Sequence, residues 1–256
     1  MPAPFVESRY FAAVAALRHG FFGREGGHSS GDLASLNVSE TQDDDPTLVA
    51  RNRAEVADAL GFPATALATV RQTHSTIVHT LTAPPGPDNR PEGDAMVTDR
   101  PGLLLGILTA DCAPVLLADT EAGVIGAFHA GWKGAIGGIA RSTMEAMAKL
   151  GADPRHTIAV IGPTISQPNY EVGPDFAASV LAQHPGAANR FTTPPGGKEH
   201  FDLPGFVADQ LTEVGVRLVE DLRLCTYAAP QRFFSHRYAT HEGIGAGRQI
   251  AVIALA

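Results

Sequence analysis

Two short, uninterrupted apolar runs, at residues 103–108 and 124–128, constrain the fold more than any other feature of this sequence. Both runs are too short for buried helices and too continuous for strands with one face in water. They are therefore predicted to be internal strands that are covered on both faces. Covering both faces of a sheet requires further layers of secondary structure packed against it.

Helices and further strands are available to form those layers. The pattern of apolar residues, caps and breakers predicts helices at residues 46–60, 135–150, 175–183 and 206–214, and further strands at residues 76–81, 115–118, 157–161, 222–226 and 250–255. The two element types interleave irregularly, which favours an α+β layered sandwich over a strict βαβ array. Neither Pro- and Gly-rich stretch, 82–93 or 194–197, separates self-sufficient segments, so residues 1–256 are expected to form a single domain.

Composition and charge exclude several classes of protein. Hydrophobic residues make up 44% of the chain and charged residues 18%, so disorder is not expected. The net charge of −8 disfavours a nucleic-acid partner, because no basic excess is present to release counterions. The longest apolar run ends at Asp111, well short of the roughly 18 residues that span a bilayer, so no membrane partner is expected. Two cysteines and no signal-peptide pattern indicate a cytoplasmic protein.

Three segments place polar side chains in tight turns at the ends of strand-like runs. They are RQTHS at 71–75, TADCAP at 109–114 and FHAGWKG at 128–134. A sheet holds the loops at its strand ends rigidly, and such loops often carry active sites. His74, Cys112 and His129 lie in these turns and are the candidate catalytic residues.

The same three side chains are candidate metal ligands. Two imidazoles and one thiolate suit Zn²⁺, and three protein ligands leave a fourth position for water or substrate. The three residues are too far apart in sequence for a local zinc motif, so two other interpretations stay open. Cys112 could be a nucleophile with His129 as its base. Alternatively, both histidines could hydrogen-bond loop backbone beside a buried thiol.

Other polar residues near these turns are candidates for supporting roles. Asp111 could orient a ligand histidine or shuttle a proton, and Asp94 is interpreted as an Asx turn at the start of a strand. The candidate substrate- or phosphate-binding residues are Arg24, Asn37, Arg71, Lys133, Arg237 and Arg248. Each arginine has the structural alternative of pairing with one of the 27 acidic residues.

Together, these segments resemble the YfiH family, also called the laccase-domain or multicopper polyphenol oxidoreductase family. The resemblance covers nearly the whole chain, and TADC followed at this distance by HAGWKG is its most specific part; FFGREGG, DAMVT, FFSHR and GAGRQIAVIAL also match. Two residues depart from the family pattern. His28 stands where a small aliphatic residue is usual and His236 where an aromatic is usual, and neither change removes a candidate ligand.

The resemblance implies a fold, a site and an activity. The fold is an α/β/β/α sandwich of mixed sheets flanked by helices, similar to the cysteine-hydrolase-like fold of a bacterial deamidase toxin. His74, Cys112 and His129 match the family's zinc-binding, catalytic positions. The implied activity is phosphorolysis of adenosine, inosine and methylthioadenosine to free base and ribose 1-phosphate, plus adenosine deamination, with Asp111 or Glu171 as candidate proton shuttles. A homodimer is also implied.

Relatives are further linked to editing of peptidoglycan precursors and to copper-dependent phenol oxidation. A multicopper oxidase builds a trinuclear cluster from His-x-His pairs, and none of the ten histidines forms such a pair. A single His₂Cys site can still bind Cu²⁺, which outcompetes Zn²⁺ at nitrogen and sulfur ligands. We therefore expect a zinc-dependent purine nucleoside enzyme, with Cu²⁺ as the alternative metal. The alternatives are a Cys112-dependent amide hydrolase, a polyphenol oxidase and a non-catalytic small-molecule binding protein.

Overall fold

Two mixed β-sheets stack face to face in the computed structural model, which describes residues 2–256. The strands are β1 (Phe5–Val6), β2 (Leu17–Phe22), β3 (Leu67–Ala68), β4 (Val78–Thr80), β5 (Ala95–Thr98), β6 (Leu104–Thr109), β7 (Ala113–Asp119), β8 (Val124–Ala130), β9 (Thr157–Ile161), β10 (Glu171–Val172), β11 (Phe191–Thr192), β12 (Glu199–Phe201), β13 (Leu218–Asp221) and β14 (Gln249–Leu255). The α-helices are α1 (Arg9–Ala12), α2 (Pro46–Ala59), α3 (Trp132–Gly137), α4 (Ile139–Lys149), α5 (Pro174–Gln183), α6 (Leu203–Glu213) and α7 (His236–Glu242).

Sheet I has the strand order β1-β2-β14-β6-β3, and sheet II has the order β13-β9-β7-β8-β5-β4. Most neighbouring strands are antiparallel, while β3 runs parallel to β6, β4 to β5 and β13 to β9. A small antiparallel sheet, β10-β12-β11, lies outside both. Among residues 2–256, no helix combines the length and the apolar character that crossing a bilayer requires.

The central strands are buried on both faces, as their continuous apolar runs predict. Ile107 of β6 and Ile125 of β8 belong to one apolar cluster between the sheets. On the outer face of sheet I, Leu104 of β6 packs in a cluster with Val56 of α2. On the outer face of sheet II, Phe128 of β8 lies in a cluster with residues of α4 and α6. The order of layers is therefore α/β/β/α, and the predicted fold class is confirmed.

Helix ends follow local signals, with one correction. Asp45 caps α2 by accepting from the backbone N–H of Thr47 at 2.7 Å, as expected from Asp-Pro. The single helix predicted at 135–150 is wrong in detail: α3 begins earlier, and α4 follows it after a break at Gly138. That residue has φ +90°, a left-handed conformation that glycine adopts without steric cost.

The strand predicted at residues 222–226 is also wrong. The strand in this region is β13, which ends at Asp221 and pairs in parallel with β9. Arg223 has φ +54°, which is incompatible with extended backbone. The apolar run after it is instead a loop, in which Cys225 forms an isolated bridge to Thr164.

Three neighbouring strands of sheet II bring separate parts of the sequence to one edge. Ala113 at the start of β7 pairs with Ala130 at the end of β8, and Ala95 at the start of β5 pairs with Phe128. Because β8 is antiparallel to both neighbours, its C-terminal end lies beside their N-terminal ends. Cys112 and Asp94 immediately precede those two strands, so the topology places both next to His129.

Candidate metal centre and its cleft

His74, Cys112 and His129 meet at the edge of sheet II. Their three ligand atoms lie within 4.8 Å of one another, and the distance from Cys112 Sγ to His74 Nε2 is 3.9 Å. The two imidazole rings are nearly perpendicular, with centroids 4.8 Å apart. His129 is buried, Cys112 is half-buried and His74 is exposed, so the group opens to solvent on one side. The structure thus brings together all three residues expected to bind metal.

The residues present fit a metal ion. Tetrahedral zinc with bonds of about 2.0–2.3 Å holds its ligand atoms roughly 3.5 Å apart, so side-chain shifts of about 1 Å complete the site. Nδ1 of His129 is hydrogen-bonded to Asp94, which leaves Nε2 as the ligand atom. Within residues 2–256, these three side chains are the one group of His, Cys, Asp or Glu residues whose ligand atoms converge in this way. The donor set suits Zn²⁺ or Cu²⁺ and does not distinguish them.

Asp94 organises this group, a role that the sequence analysis missed. Its carboxylate is fully buried and accepts a hydrogen bond from His129 Nδ1 at 2.8 Å. It also accepts from the backbone N–H groups of Thr73, His74 and Ser75, at 3.1, 3.0 and 2.6 Å, and from the Ser75 hydroxyl at 2.7 Å. One carboxylate therefore fixes both the His129 ring and the turn that carries His74. Its position directly before β5, beside two other polar strand ends, is the signal that could have identified it.

Electrostatics favour a thiolate at Cys112. Burial opposes its charge, but the attraction of His129 and hydrogen bonds with His129 and His74 lower the pKa of Cys112 to about 6. Burial likewise opposes a charge on His129, yet the Cys112 thiolate and Asp94 raise the pKa of His129 to about 9. Despite burial, hydrogen bonds from His129 and Ser75 hold the pKa of the Asp94 carboxyl well below its usual range. A thiolate is the form that both metal binding and nucleophilic attack require.

Gly131, immediately after β8, allows the close approach of two ligands. A Cβ atom at this position would lie 2.4 Å from His74 Cδ2 and 3.2 Å from Cys112 Sγ. Both distances are shorter than ordinary van der Waals contact, so any larger residue would displace the ligand side chains. The glycine in HAGWKG therefore shapes the site directly.

Asp111 has a different position from the one expected of it. Its Oδ1 accepts from the Thr226 hydroxyl and its Oδ2 from the backbone N–H of Arg237, both at 2.6 Å. Its backbone carbonyl accepts from Ile165 and Thr164. Asp111 thus joins its own turn to the loops that carry Thr164 and Thr226 and to the start of α7, and Asp94 rather than Asp111 hydrogen-bonds a candidate ligand histidine.

A cleft of about 720 Å³ opens over the three candidate ligands. It is lined by Ser39, Glu40, Thr41, Val70, Arg71, Gln72, His74, Asp88, Arg90, Leu108, Thr109, Ala110, Cys112, His129, His236 and Arg248. Two of the expected substrate-binding residues, Arg71 and Arg248, are among them. Gln72 fixes the lining by accepting from and donating to the backbone of Leu108, at 2.8 and 2.7 Å.

The other four expected substrate-binding residues lie outside this lining. Arg24 donates to the backbone carbonyls of Ala34, Asp32 and Pro230, so its guanidinium holds loops together. Asn37 is buried and accepts from the backbone N–H of Arg248.

Lys133 and Arg237 also lie outside the cleft lining. Lys133 is exposed, with its Nζ 5.5 Å from the centre of the Trp132 ring. Arg237 donates to the carbonyl of Glu171, whose own carboxylate pairs with Lys198 at 2.6 Å. Of the two departures from the family pattern, His236 lines the cleft and His28 does not. His28 pairs with Glu55, with 3.1 Å between Nε2 and Oε1.

The fold and the cleft define a class: an α/β/β/α protein in which residues 2–256 bring one His₂Cys group that could hold a metal ion to the edge of sheet II. Residues 18–256 match the family described as multi-copper polyphenol oxidoreductase laccase. The chain belongs to this family, and the resemblance seen in the sequence is confirmed.

Curated relatives and solved structures agree with this assignment. A Deinococcus radiodurans protein named purine nucleoside phosphorylase is 44% identical over 240 residues, which cover 94% of this chain and 90% of that protein. A Corynebacterium glutamicum protein of the same name is 38% identical over 238 residues, with 93% and 94% covered. The crystal structure of the Bacillus licheniformis protein YfiH superimposes with a TM-score of 0.85 at 31% identity, covering 94% of this chain and 93% of that one.

Replacing the Asp94 carboxylate tests its organising role. We expect Asp94→Asn to weaken zinc binding roughly 10- to 100-fold, because the amide cannot accept from all the donors now directed at the carboxylate. Zinc affinity, measured by chelator competition, is the readout. Asp119→Asn is the matched control, since Asp119 is also buried and caps backbone N–H groups at the opposite end of β7. Equal loss of zinc affinity in both variants would contradict the role assigned to Asp94.

Adding one methyl group at Gly131 tests the ligand geometry. We expect Gly131→Ala to fold, because the exposed His74 ring can move aside, and to lose about 100-fold in kcat/KM through misplacement of the site. Gly173→Ala is the control: Gly173 also precedes a helix, and an added Cβ meets nothing within 4 Å. Thermal melting and turnover of any substrate found for the wild type are the measurements. Wild-type turnover in the Gly131 variant would show that the close approach is unimportant.

Proposed function

We propose that the protein is a zinc-dependent purine nucleoside enzyme. It would cleave adenosine, inosine and methylthioadenosine by phosphorolysis, and also deaminate adenosine. The relatives named purine nucleoside phosphorylase support the reaction class. The observation that carries the proposal is the cleft itself, which joins a metal-binding group to three arginines in a protein with a net charge of −8. Glu40 and Asp88 also line the cleft and offset part of this charge, so Arg248, which pairs with no carboxylate among residues 2–256, is the cation that attracts an anionic co-substrate.

Phosphorolysis sets clear demands on this cleft. A phosphate oxygen forms a bond to the anomeric carbon of the ribose, the bond from that carbon to the purine nitrogen breaks, and its electron pair leaves with the base, which then takes up a proton. Positive side chains must hold phosphate in line with the breaking bond and offset its charge. Arg71, Arg90 and Arg248 line the cleft and provide that charge. A bound zinc ion would supply a Lewis acid at the reacting centre.

The protein's own residues keep the centre in one geometry. Asp94 accepts a hydrogen bond from His129 Nδ1 and so fixes the orientation of the ring, and Nε2 is the nitrogen that would bind a metal ion. Cys112 is held as a thiolate by its neighbours, so little free energy is needed to deprotonate it for binding. Because such a site is ordered before the substrate binds, little of the binding free energy is lost in ordering it.

One specific observation favours a second candidate, an amide hydrolase. Cys112, His129 and Asp94 form a thiolate, an imidazolium and a buried carboxylate in hydrogen-bonded series, the arrangement of a cysteine nucleophile with its base and orienting acid. Such an enzyme would act on amide bonds of peptidoglycan precursors without metal. Polyphenol oxidation is less favoured, because within residues 2–256 a single ligand group converges, whereas a multicopper cluster requires several.

Product analysis with adenosine tests the primary proposal. We expect adenine and ribose 1-phosphate only when inorganic phosphate is present, and inosine with or without it, since deamination consumes water. His129→Ala is expected to abolish bound zinc and to reduce both activities by at least about 100-fold, because it removes a metal ligand. His156→Ala is the control, since His156 is exposed and pairs with Glu121 away from the cleft. Unchanged zinc content and turnover in the His129 variant would contradict the proposal.

Alkylation of Cys112 separates the two candidate functions. In metal-free protein, iodoacetamide is expected to modify Cys112 from pH 8 down to about pH 6. Below about pH 6 the rate of modification is expected to fall, because the thiolate takes up a proton. Zinc is expected to protect Cys112 while leaving Cys225 unaffected, since Cys225 lies outside the ligand group. Amide hydrolysis by the metal-free enzyme, with no protection of Cys112 by zinc, would instead establish the second candidate.

A further inference from the structure

The three arginines that line the cleft differ in how their charge is compensated. Arg71 pairs with the carboxylate of Glu92 at 2.5 Å, and Arg90 pairs with Glu40. Arg248 pairs with no carboxylate among residues 2–256. Its charge is therefore the one in the cleft lining that the protein leaves without a direct counterion.

Arg248 is nevertheless held in place at two points. Its backbone N–H donates to Oδ1 of the buried Asn37 at 2.9 Å, which fixes the chain. Its Nη1 donates to the carbonyls of Ala246 and Gly247 at 2.8 and 2.9 Å. No described residue accepts from Nε or Nη2. The guanidinium thus has one nitrogen anchored to backbone and the other two available as donors.

Nearby negative groups do not take up those donors. Burial lowers the pKa of Arg248, while the charges of Cys112 and Asp111 partly offset that effect, so both lie within electrostatic range. Both carboxylate oxygens of Asp111 are already hydrogen-bonded, to Thr226 and to the backbone of Arg237. The Cys112 thiolate is directed to the two histidines. Nε and Nη2 are not buried and reach the solvent of the cleft, so an incoming anion can replace water as their acceptor.

We infer that Arg248 is the anchor of an oxyanion subsite that binds inorganic phosphate beside the His74–Cys112–His129 group. A planar guanidinium with two free N–H directions matches two oxygens of a tetrahedral oxyanion, and such bidentate pairs are strong and directional. The anchoring of Nη1 orders the side chain before the ligand arrives, which lowers the entropic cost of binding. Arg71 and Arg90, whose charges are already paired, contribute to the general field of the cleft. Assigning the anion as the co-substrate rests on the proposed phosphorolysis; the anion subsite itself does not.

Direct binding and kinetics test this subsite together. In Arg248→Gln, calorimetric affinity for inorganic phosphate is expected to fall roughly 10- to 100-fold, as loss of charged hydrogen bonds predicts. The KM for phosphate is expected to rise by the same factor, while the KM for the nucleoside and the zinc content change little. Arg248→Lys keeps the positive charge but loses the planar pair of N–H donors. Its phosphate affinity and its KM for phosphate are therefore expected to lie between those of the wild type and those of Arg248→Gln.

Arg18→Gln is the matched control. Nη1 of Arg18 also donates to two backbone carbonyls, those of Ala15 and Leu17, and the side chain lies outside the cleft. We expect wild-type phosphate affinity in this variant. If both Arg248 variants fold poorly, phenylglyoxal modification of the unaltered protein replaces them. Inorganic phosphate is then expected to protect Arg248, as read by mass spectrometry, and not Arg18.

The outcomes distinguish this inference from the proposed function. Phosphate binding that depends on Arg248, without any nucleoside cleavage, supports the subsite and contradicts phosphorolysis. Phosphate-dependent cleavage with unchanged phosphate affinity and KM in Arg248→Gln supports phosphorolysis and overturns the subsite. If inorganic phosphate does not protect Arg248 of the wild type from phenylglyoxal, the subsite is overturned as well.

Discussion

The candidate site depends on a single buried carboxylate. Asp94 is fully buried, and a charge in that position is tolerated only because several donors surround it. Those donors come from two places: the turn at residues 73–75 and the ring of His129 at the end of β8. The hydrogen bonds to this carboxylate therefore hold together two segments that are distant in sequence. His74, with φ +61°, is held in an unusual backbone conformation by the same contacts.

The sheets make this arrangement rigid. The strands β5, β8 and β7 are adjacent and buried on both faces, so the loops at their common edge can move little relative to one another. Cys112 and Asp94 precede two of these strands and His129 lies near the end of the third. The short apolar runs that specify the buried strands therefore also position the polar residues that precede or follow them. Gly131 completes this arrangement by leaving space for two ligand side chains.

Local sequence signals predicted the layers and singled out the three side chains that converge, but not their partners. The double-sided burial of β6 and β8 follows from uninterrupted apolar residues, and α2 follows from Asp45 and Pro46. Asp94 and Asp111 both lie in a turn just before a strand, so this signal selects both and cannot rank one above the other. Strand pairing alone decides which of them reaches a histidine. Likewise, the carboxylate partner of Arg71, and the lack of one for Arg248 among residues 2–256, depend on loops distant in sequence, so composition could not separate a paired arginine from an unpaired one.

The same charges can serve a metal ion or a nucleophile. The site holds a thiolate and an imidazole that a carboxylate orients, and these groups form a cysteine–histidine dyad. It also holds a second imidazole, exposed to solvent, which such a dyad does not require. A Cys–His–Asp hydrolase has no need of His74, whereas a metal ion needs a third ligand on the open side of the site, where His74 lies. Arg248, which pairs with no carboxylate among residues 2–256, can bind the carboxylate of a peptide substrate as well as an anionic co-substrate, so it does not separate the two models. His74 is the residue that the nucleophile model leaves without a role and that a metal ion would require.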